Sequence, residues 1–137
     1  MDPYVINLPW LARKMIVSCF ILPFRPKSTS EAYKKIWTDK GSPLLLFSQN
    51  LGEELEEQFG IRVEVAMRYG RPSIADALSS FESRNVQKIK VLPLYPQFSD
   101  ATVTTTINKV IEENQGKANI SMIPPFYSNE AFVKSSA

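Results

Sequence analysis

Three runs rich in β-branched and aromatic residues, IRVEVAMRY at 61–69, KIKVLPLYP at 88–96 and NISMIPPFY at 119–127, start about 30 residues apart. That interval is the repeat length of a strand–helix–strand unit. Units of this kind build parallel sheets, because the chain must cross over before it can re-enter the sheet in the same direction. The intervals carry helical patterns: Ile74, Ala77, Leu78 and Phe81 recur at three and four residues, and so do Val103, Ile107, Val110 and Ile111. Each crossover therefore has an apolar stripe to lay on the sheet, and 61–127 reads as a βαβαβ core.

Upstream, Ser42-Pro43 is a good helix start, with a hydroxyl at the N-cap and proline at the first helical position. Phe47, Leu51, Leu55 and Phe59 then repeat every four residues, Gly60 is a natural stop, and Glu53, Glu54, Glu56 and Glu57 read as a solvated face. Thr29 to Trp37 suggests another helix with Ala32, Tyr33, Ile36 and Trp37 on one side. Leu8 to Leu22 is apolar nearly all round, the pattern of a segment that is buried or that faces something greasy. The uncharged part of this region, Met15 to Phe24, is far shorter than the roughly 20 residues needed to cross a bilayer.

Composition narrows the function. A chain of 137 residues with 44% hydrophobic content suits one domain with a real core. The net charge of +2 is small and its lysines and arginines are scattered, so nucleic acid is not an expected partner. There is no histidine, which removes the commonest general base and transition-metal ligand. Without a base to activate Ser42 or Ser99, a hydrolase triad is excluded. Cys19 stands alone in an apolar run; it fits a reducing compartment and reads as an inert buried thiol. No secretory leader is evident, because Asp2 and Pro3 stand where a basic start is needed.

In an open parallel sheet ligands bind beyond the carboxyl ends of the strands. The three runs end in Arg68-Tyr69-Gly70, in Tyr95-Pro96-Gln97-Phe98-Ser99-Asp100 and in Pro124-Pro125-Phe126-Tyr127. Aromatics, an arginine and small hydroxyls suit a flat apolar ligand with acidic substituents. The same residues also fit plain packing and ion pairing. No G-x-G-x-x-G or Walker loop is present, so a nucleotide fits poorly. Asp76 and Asp100 are the nearest carboxylates, and neither is specific.

The ordered set FILPFRPKSTSEAYKKIW, GSPLL, AMRYGRPSI and VLPLYPQFSDAT resembles the N-terminal half of bacterial ferrochelatases, over nearly the whole chain from Pro9 to Ala131. The resemblance implies a Rossmann-like three-layer α/β fold of the chelatase type, with residues 1–137 as a partial N-terminal domain whose first strand is missing. It implies insertion of ferrous iron into protoporphyrin in haem synthesis, with no organic cofactor. In the family's pattern Arg25 faces a porphyrin propionate, Tyr33 and Ser42 lie along the cleft, and Arg68, Tyr69, Ser99 and Thr102 line its wall. Residues 8–24 match a hydrophobic lip that can rest on a membrane, which places the chain in the cytoplasm or peripheral to the inner membrane.

Two departures qualify the resemblance. The family's metal-binding histidine and glutamate belong to a second half with no counterpart here, so no catalytic or metal-ligating residue is assigned, and the absent C-terminal half is an expected partner. Asp100 stands where some relatives carry an iron–sulfur cysteine, so no cluster is expected, and Ala101 removes one hydroxyl while Thr102 or Thr104 still caps the helix. The alternatives are a non-catalytic porphyrin- or haem-binding module and an inactive truncated chain.

Overall fold

The computed structural model describes residues 9–21, 31, 33–39 and 41–137. They gather into two compact units, one ending at Val65 and one formed by Ala66–Ala137.

In the first unit, α1 (Trp10–Ile16) runs into a wide π-type turn at Val17–Ile21. Residues 33–36 are helical, and α2 (Pro43–Phe59) follows. Both ends of α2 fall where the sequence puts them. Ser42 is the N-cap with Pro43 behind it, and Gly60 closes the helix in the left-handed region at φ 62°, donating to the Glu56 carbonyl. The packed face of α2 is not the one the four-residue repeat indicates. Gly52 is the buried position, and a Cβ there would meet Val65 Cγ2 at 3.1 Å and Val63 Cγ1 at 3.5 Å. Phe47, Leu51 and Phe59 are exposed instead. Nor is Glu56 a purely solvated residue: its carboxylate accepts from the Val63 N–H at 2.7 Å and pairs with Arg62 at 3.2 Å, tying the helix to the segment after it. Cys19, expected to be buried, is exposed. No helix among the described residues is long and apolar enough to cross a membrane.

The second unit is mixed α/β: α3 (Ile74–Ser83), β1 (Lys88–Val91), a π-type turn at Asp100–Thr104 leading into α4 (Thr105–Asn114), β2 (Asn119–Met122) and α5 (Glu130–Ser136). The two strands pair in parallel, Lys88 with Asn119 through Val91 with Met122, as the spacing of the runs predicts. Both are shorter than their runs because prolines remove the ladder donors, Pro93 after β1 and Pro124-Pro125 after β2. The first run, 61–69, forms no ladder; its one pairing is an isolated bridge from Met67 to Ser73. A β-prone run becomes a strand only when a neighbour takes its N–H and C=O groups, and among the described residues none lies alongside it.

Side chains alternate across the sheet. Ile89 is buried while Lys88 and Lys90 are exposed, so one face of the ladder is apolar and the other wet. Helices α3 and α4 pack on each other, and Ile74, Ile89, Val103 and Val110 are the buried aliphatic side chains of this unit, with Thr105 and Asn114 buried beside them. Asn114 is bonded at both ends of its side-chain amide: the nitrogen donates to the Ala118 carbonyl at 3.0 Å and the oxygen accepts the Ala118 N–H at 3.1 Å. That pair closes the turn that feeds β2.

Helix α3 begins with a reciprocal cap whose signal in the sequence is the S-x-x-D spacing of Ser73 and Asp76. The Asp76 N–H donates to the Ser73 hydroxyl at 3.1 Å, and the Ser73 N–H donates to the Asp76 carboxylate at 3.0 Å. The Ser73 backbone bond, then its side-chain bond and the charge of Arg71, hold the Asp76 carboxyl below its ordinary value of 3.8. A carboxyl depressed by folding stabilises above its unfolded pKa, and that contribution is lost as pH falls through the lower folded value. The Asp76 carboxyl resonance should therefore titrate below 3.8 in the folded chain and move back toward 3.8 in Ser73→Ala; a midpoint at or above 3.8 in the parent would contradict the cap.

Candidate functional site

The chain enters β1 and β2 from one edge of the sheet, where α3 and α4 both end, through the short connections 84–87 and 115–118. The beginnings of both helices consequently lie toward the carboxyl ends of the strands. That topology brings four of the expected residues to one edge of the second unit. Arg68 and Tyr69 sit in a loop closed by the Met67 N–H on the Pro72 carbonyl at 2.7 Å, just ahead of α3. Ser99 and Thr102 sit where the chain turns into α4.

The loops that leave the two strands are held together. Ile123 donates to the Val91 carbonyl at 2.9 Å and Tyr127 donates to the Pro96 carbonyl at 2.9 Å, so the aromatic tails 92–99 and 123–127 run side by side. Phe126 is fixed from behind by an edge-on contact with Phe132 of α5, ring centres 5.2 Å apart. Leu94, Phe98 and Tyr127 remain exposed along this edge. The half-buried Arg68 lays its guanidinium 4.6 Å from the centre of the exposed Tyr69 ring, a cation–π pair that presents charge and a flat face together.

At the start of α4 the hydroxyls have different duties from those expected. The Thr102 hydroxyl donates to the Ser99 carbonyl at 3.2 Å and the Thr104 hydroxyl donates to the Asp100 carboxylate at 2.8 Å, so neither threonine accepts a backbone N–H as a cap. Ser99 holds the N-cap place in extended conformation, and its own hydroxyl makes no capping bond. The turn is instead closed by the Ser99 carbonyl, which accepts from the Val103 N–H at 2.8 Å. The D-x-x-x-T spacing of Asp100 and Thr104 was the available signal for their pairing.

Tyr33 and Ser42 belong to the first unit, Tyr33 exposed and Ser42 half-buried at the start of α2. Arg25 lies outside the described residues, as do Ala32 and, within the 8–24 stretch, residues 8 and 22–24. Among the described residues no group of three or more His, Cys, Asp or Glu side chains converges to hold a metal ion. A cleft of about 510 Å³ opens at the opposite edge of the second unit, lined by Ser79, Gln87, Glu113, Asn114 and the Lys117–Glu82 ion pair. It faces away from the strand ends, is floored by the Asn114 turn, and lacks the aromatic surfaces a flat ligand needs.

A sequence model of the ferrochelatase family matches residues 1–137, the entire chain. The chain belongs to the ferrochelatase family. It is 39% identical over 141 residues to a ferrochelatase of Pseudomonas putida, a match covering 100% of this chain and 41% of that protein. Against a ferrochelatase of Pseudomonas fluorescens biotype C it is 41% identical over 137 residues, covering 97% of this chain and 40% of the relative. This ferrochelatase-family chain thus spans about two fifths of the length of the relatives it matches. Its parallel ladder and packed helices agree with the chelatase-like α/β fold that the motifs imply.

Proposed function

We propose that this chain supplies the porphyrin-gripping part of a ferrochelatase, a lyase that joins ferrous iron to protoporphyrin in haem biosynthesis, iron and porphyrin both being substrates. The observation that carries the reading is the carboxyl edge of the second unit, where Arg68 stacks on Tyr69 and the exposed aromatics Phe98 and Tyr127 stand on tails joined by the Tyr127–Pro96 bond, just ahead of Ser99 and Thr102 in the first of them. A macrocycle is a flat apolar plate with carboxylates at its rim. Aromatic faces take the plate, and a guanidinium takes a propionate through charge-assisted hydrogen bonds.

In this reading Arg68, Tyr69, Ser99 and Thr102 take one side of the porphyrin, and the resemblance to the family adds Arg25 on a propionate with Tyr33 and Ser42 along the cleft. Grip and chemistry are separate tasks. With no histidine in its 137 residues, the chain is assigned the first, and the proton and metal transfers fall to the rest of the ferrochelatase. No organic cofactor and no iron–sulfur cluster enters the proposal.

Helix α1 exposes Trp10, Leu11 and Met15 with the Lys14 ammonium 5.1 Å from the Trp10 ring centre. Apolar side chains beside a cation suit the headgroup boundary of a bilayer, which supports a peripheral, cytoplasm-facing placement.

Absorbance titration tests the grip. Adding the chain to protoporphyrin should shift and sharpen the Soret band at micromolar protein. An unchanged spectrum at that concentration would remove the porphyrin reading and leave the inactive-chain alternative.

A further inference from the structure

We infer that Asp100 is a specificity-determining residue of the proposed porphyrin edge: its carboxylate keeps other carboxylates off the part of the macrocycle that lies over the aromatic tails, so the chain selects porphyrins whose acidic groups are confined to one side. The tails themselves carry no charge, 92–99 reading LPLYPQFS and 123–127 reading IPPFY. Asp100 is the first charged residue that the tail leaving β1 reaches. It stands four residues beyond the Pro96 carbonyl that Tyr127 holds, at most about 14 Å of extended chain, so a plate lying on both tails brings its rim toward that carboxylate.

Three acids stand where the chain turns from this edge into a helix, and among the described residues only Asp100 is left without a neighbouring cation. Asp76 is bonded into the cap of α3 with the charge of Arg71 beside it. Glu130 pairs with Lys134 at 2.8 Å. Asp100 is exposed, and its bond comes from the Thr104 hydroxyl at 2.8 Å, which fixes the carboxylate without neutralising it. A fixed, unneutralised charge beside an apolar surface acts by exclusion: a second carboxylate brought up to it is repelled, whereas an alkyl or vinyl group is not. Protoporphyrin has both propionates on one side of the ring and only methyl and vinyl groups on the other, so it can turn its uncharged side toward Asp100. Coproporphyrin III has a propionate on every pyrrole ring, so each in-plane orientation brings one toward Asp100.

The inference deepens the porphyrin-grip reading and rests on it, and the two fail in different ways. Dissociation constants of protoporphyrin and coproporphyrin III are measured by Soret titration for the parent chain and for Asp100→Asn, whose amide oxygen still accepts from Thr104 while the charge is gone. The ratio of the coproporphyrin to the protoporphyrin constant should fall about fivefold in Asp100→Asn. It should stay within about twofold of the parent's in Asp100→Glu, which keeps the charge, and in Glu112→Gln, which removes a negative charge from the far end of α4. A purely structural role for Asp100 would weaken both porphyrins together and leave the ratio alone. A ratio unchanged in Asp100→Asn, or lowered as much in Asp100→Glu or Glu112→Gln, overturns the inference while the grip stands. No binding of protoporphyrin by the parent chain removes the grip and this inference with it. Should circular dichroism show Asp100→Asn unfolded, Asp100→Ser, which also removes the charge and suits the start of a helix, is titrated in its place and the same ratio decides.

Discussion

Val110→Asp should abolish the folded state of the Ala66–Ala137 unit, while Ile111→Asp, one residue further along the same helix, should leave its thermal midpoint nearly unchanged. Val110 is 3% exposed in the core with Ile74, Ile89 and Val103, and Ile111 is 60% exposed. Aspartate at 110 forfeits the burial of a valine and places a carboxylate where no partner waits, a combined cost on the order of 4 kcal/mol or more. Domains of this size hold a net stability of roughly 5–15 kcal/mol, and a core built on four buried aliphatic side chains belongs at the lower end of that range. Aspartate at 111 faces water, where substitutions stay within about 0.5 kcal/mol. Circular dichroism melts of the two variants read the difference. Similar midpoints for both would mean that Val110 does not belong to the core of this unit.

Arg25→Ala should weaken binding of protoporphyrin about 10- to 150-fold and leave binding of its dimethyl ester within about twofold. The expectation follows from the proposed role of Arg25 on a propionate: a lost charge-assisted hydrogen bond costs about 1.5–3 kcal/mol, and the ester carries no charge to lose. Both affinities come from the same Soret titration. Equal weakening for acid and ester would show that Arg25 acts through the shape of the chain and not through a carboxylate. Arg68→Ala, run alongside, separates rim from wall. Its guanidinium lies on the Tyr69 ring, so its loss should weaken acid and ester together, with a larger effect on the acid.

The sequence carried much of this, and the reasons are local. Pro43 and Gly60 bound α2 because a fixed proline φ and a left-handed glycine are properties of the residues themselves, whereas the Ser42 hydroxyl, at the N-cap place, makes no capping bond. The parallel pairing of β1 with β2 followed from the distance between runs, because a crossover helix needs that many residues. The convergence of Arg68, Tyr69, Ser99 and Thr102 on one edge was legible for the same reason: every residue just past a parallel strand or just before a crossover helix is delivered to the same end.

Other features were not legible. Phe47, Leu51, Leu55 and Phe59 are as regular a stripe as Val103, Ile107 and Val110, yet Phe47 is exposed and Val110 is core. Period tells which residues share a side; it does not tell which side meets a neighbour, and in α2 the small Gly52 made the closer approach. The run 61–69 has a strand's composition without a strand's ladder, since hydrogen bonding across strands depends on a partner remote in sequence. Glu56 reads as one of four solvated acids, and only the fold back of Arg62 and Val63 gave it a bond of its own.

The carboxyl edge of the second unit shows where sequence and tertiary structure divide. The order of runs and helices by itself determined that an arginine, tyrosines and hydroxyls would be delivered toward that end of the strands, because chain direction and crossover length are written into spacing. Only the tertiary structure decided what each does on arrival. The guanidinium of Arg68 lies over Tyr69, the Thr102 and Thr104 hydroxyls are spent on Ser99 and Asp100, and the Ser99 hydroxyl is left out of the helix cap. Those roles depend on angles and on ångström-scale distances between residues, and a linear pattern holds neither.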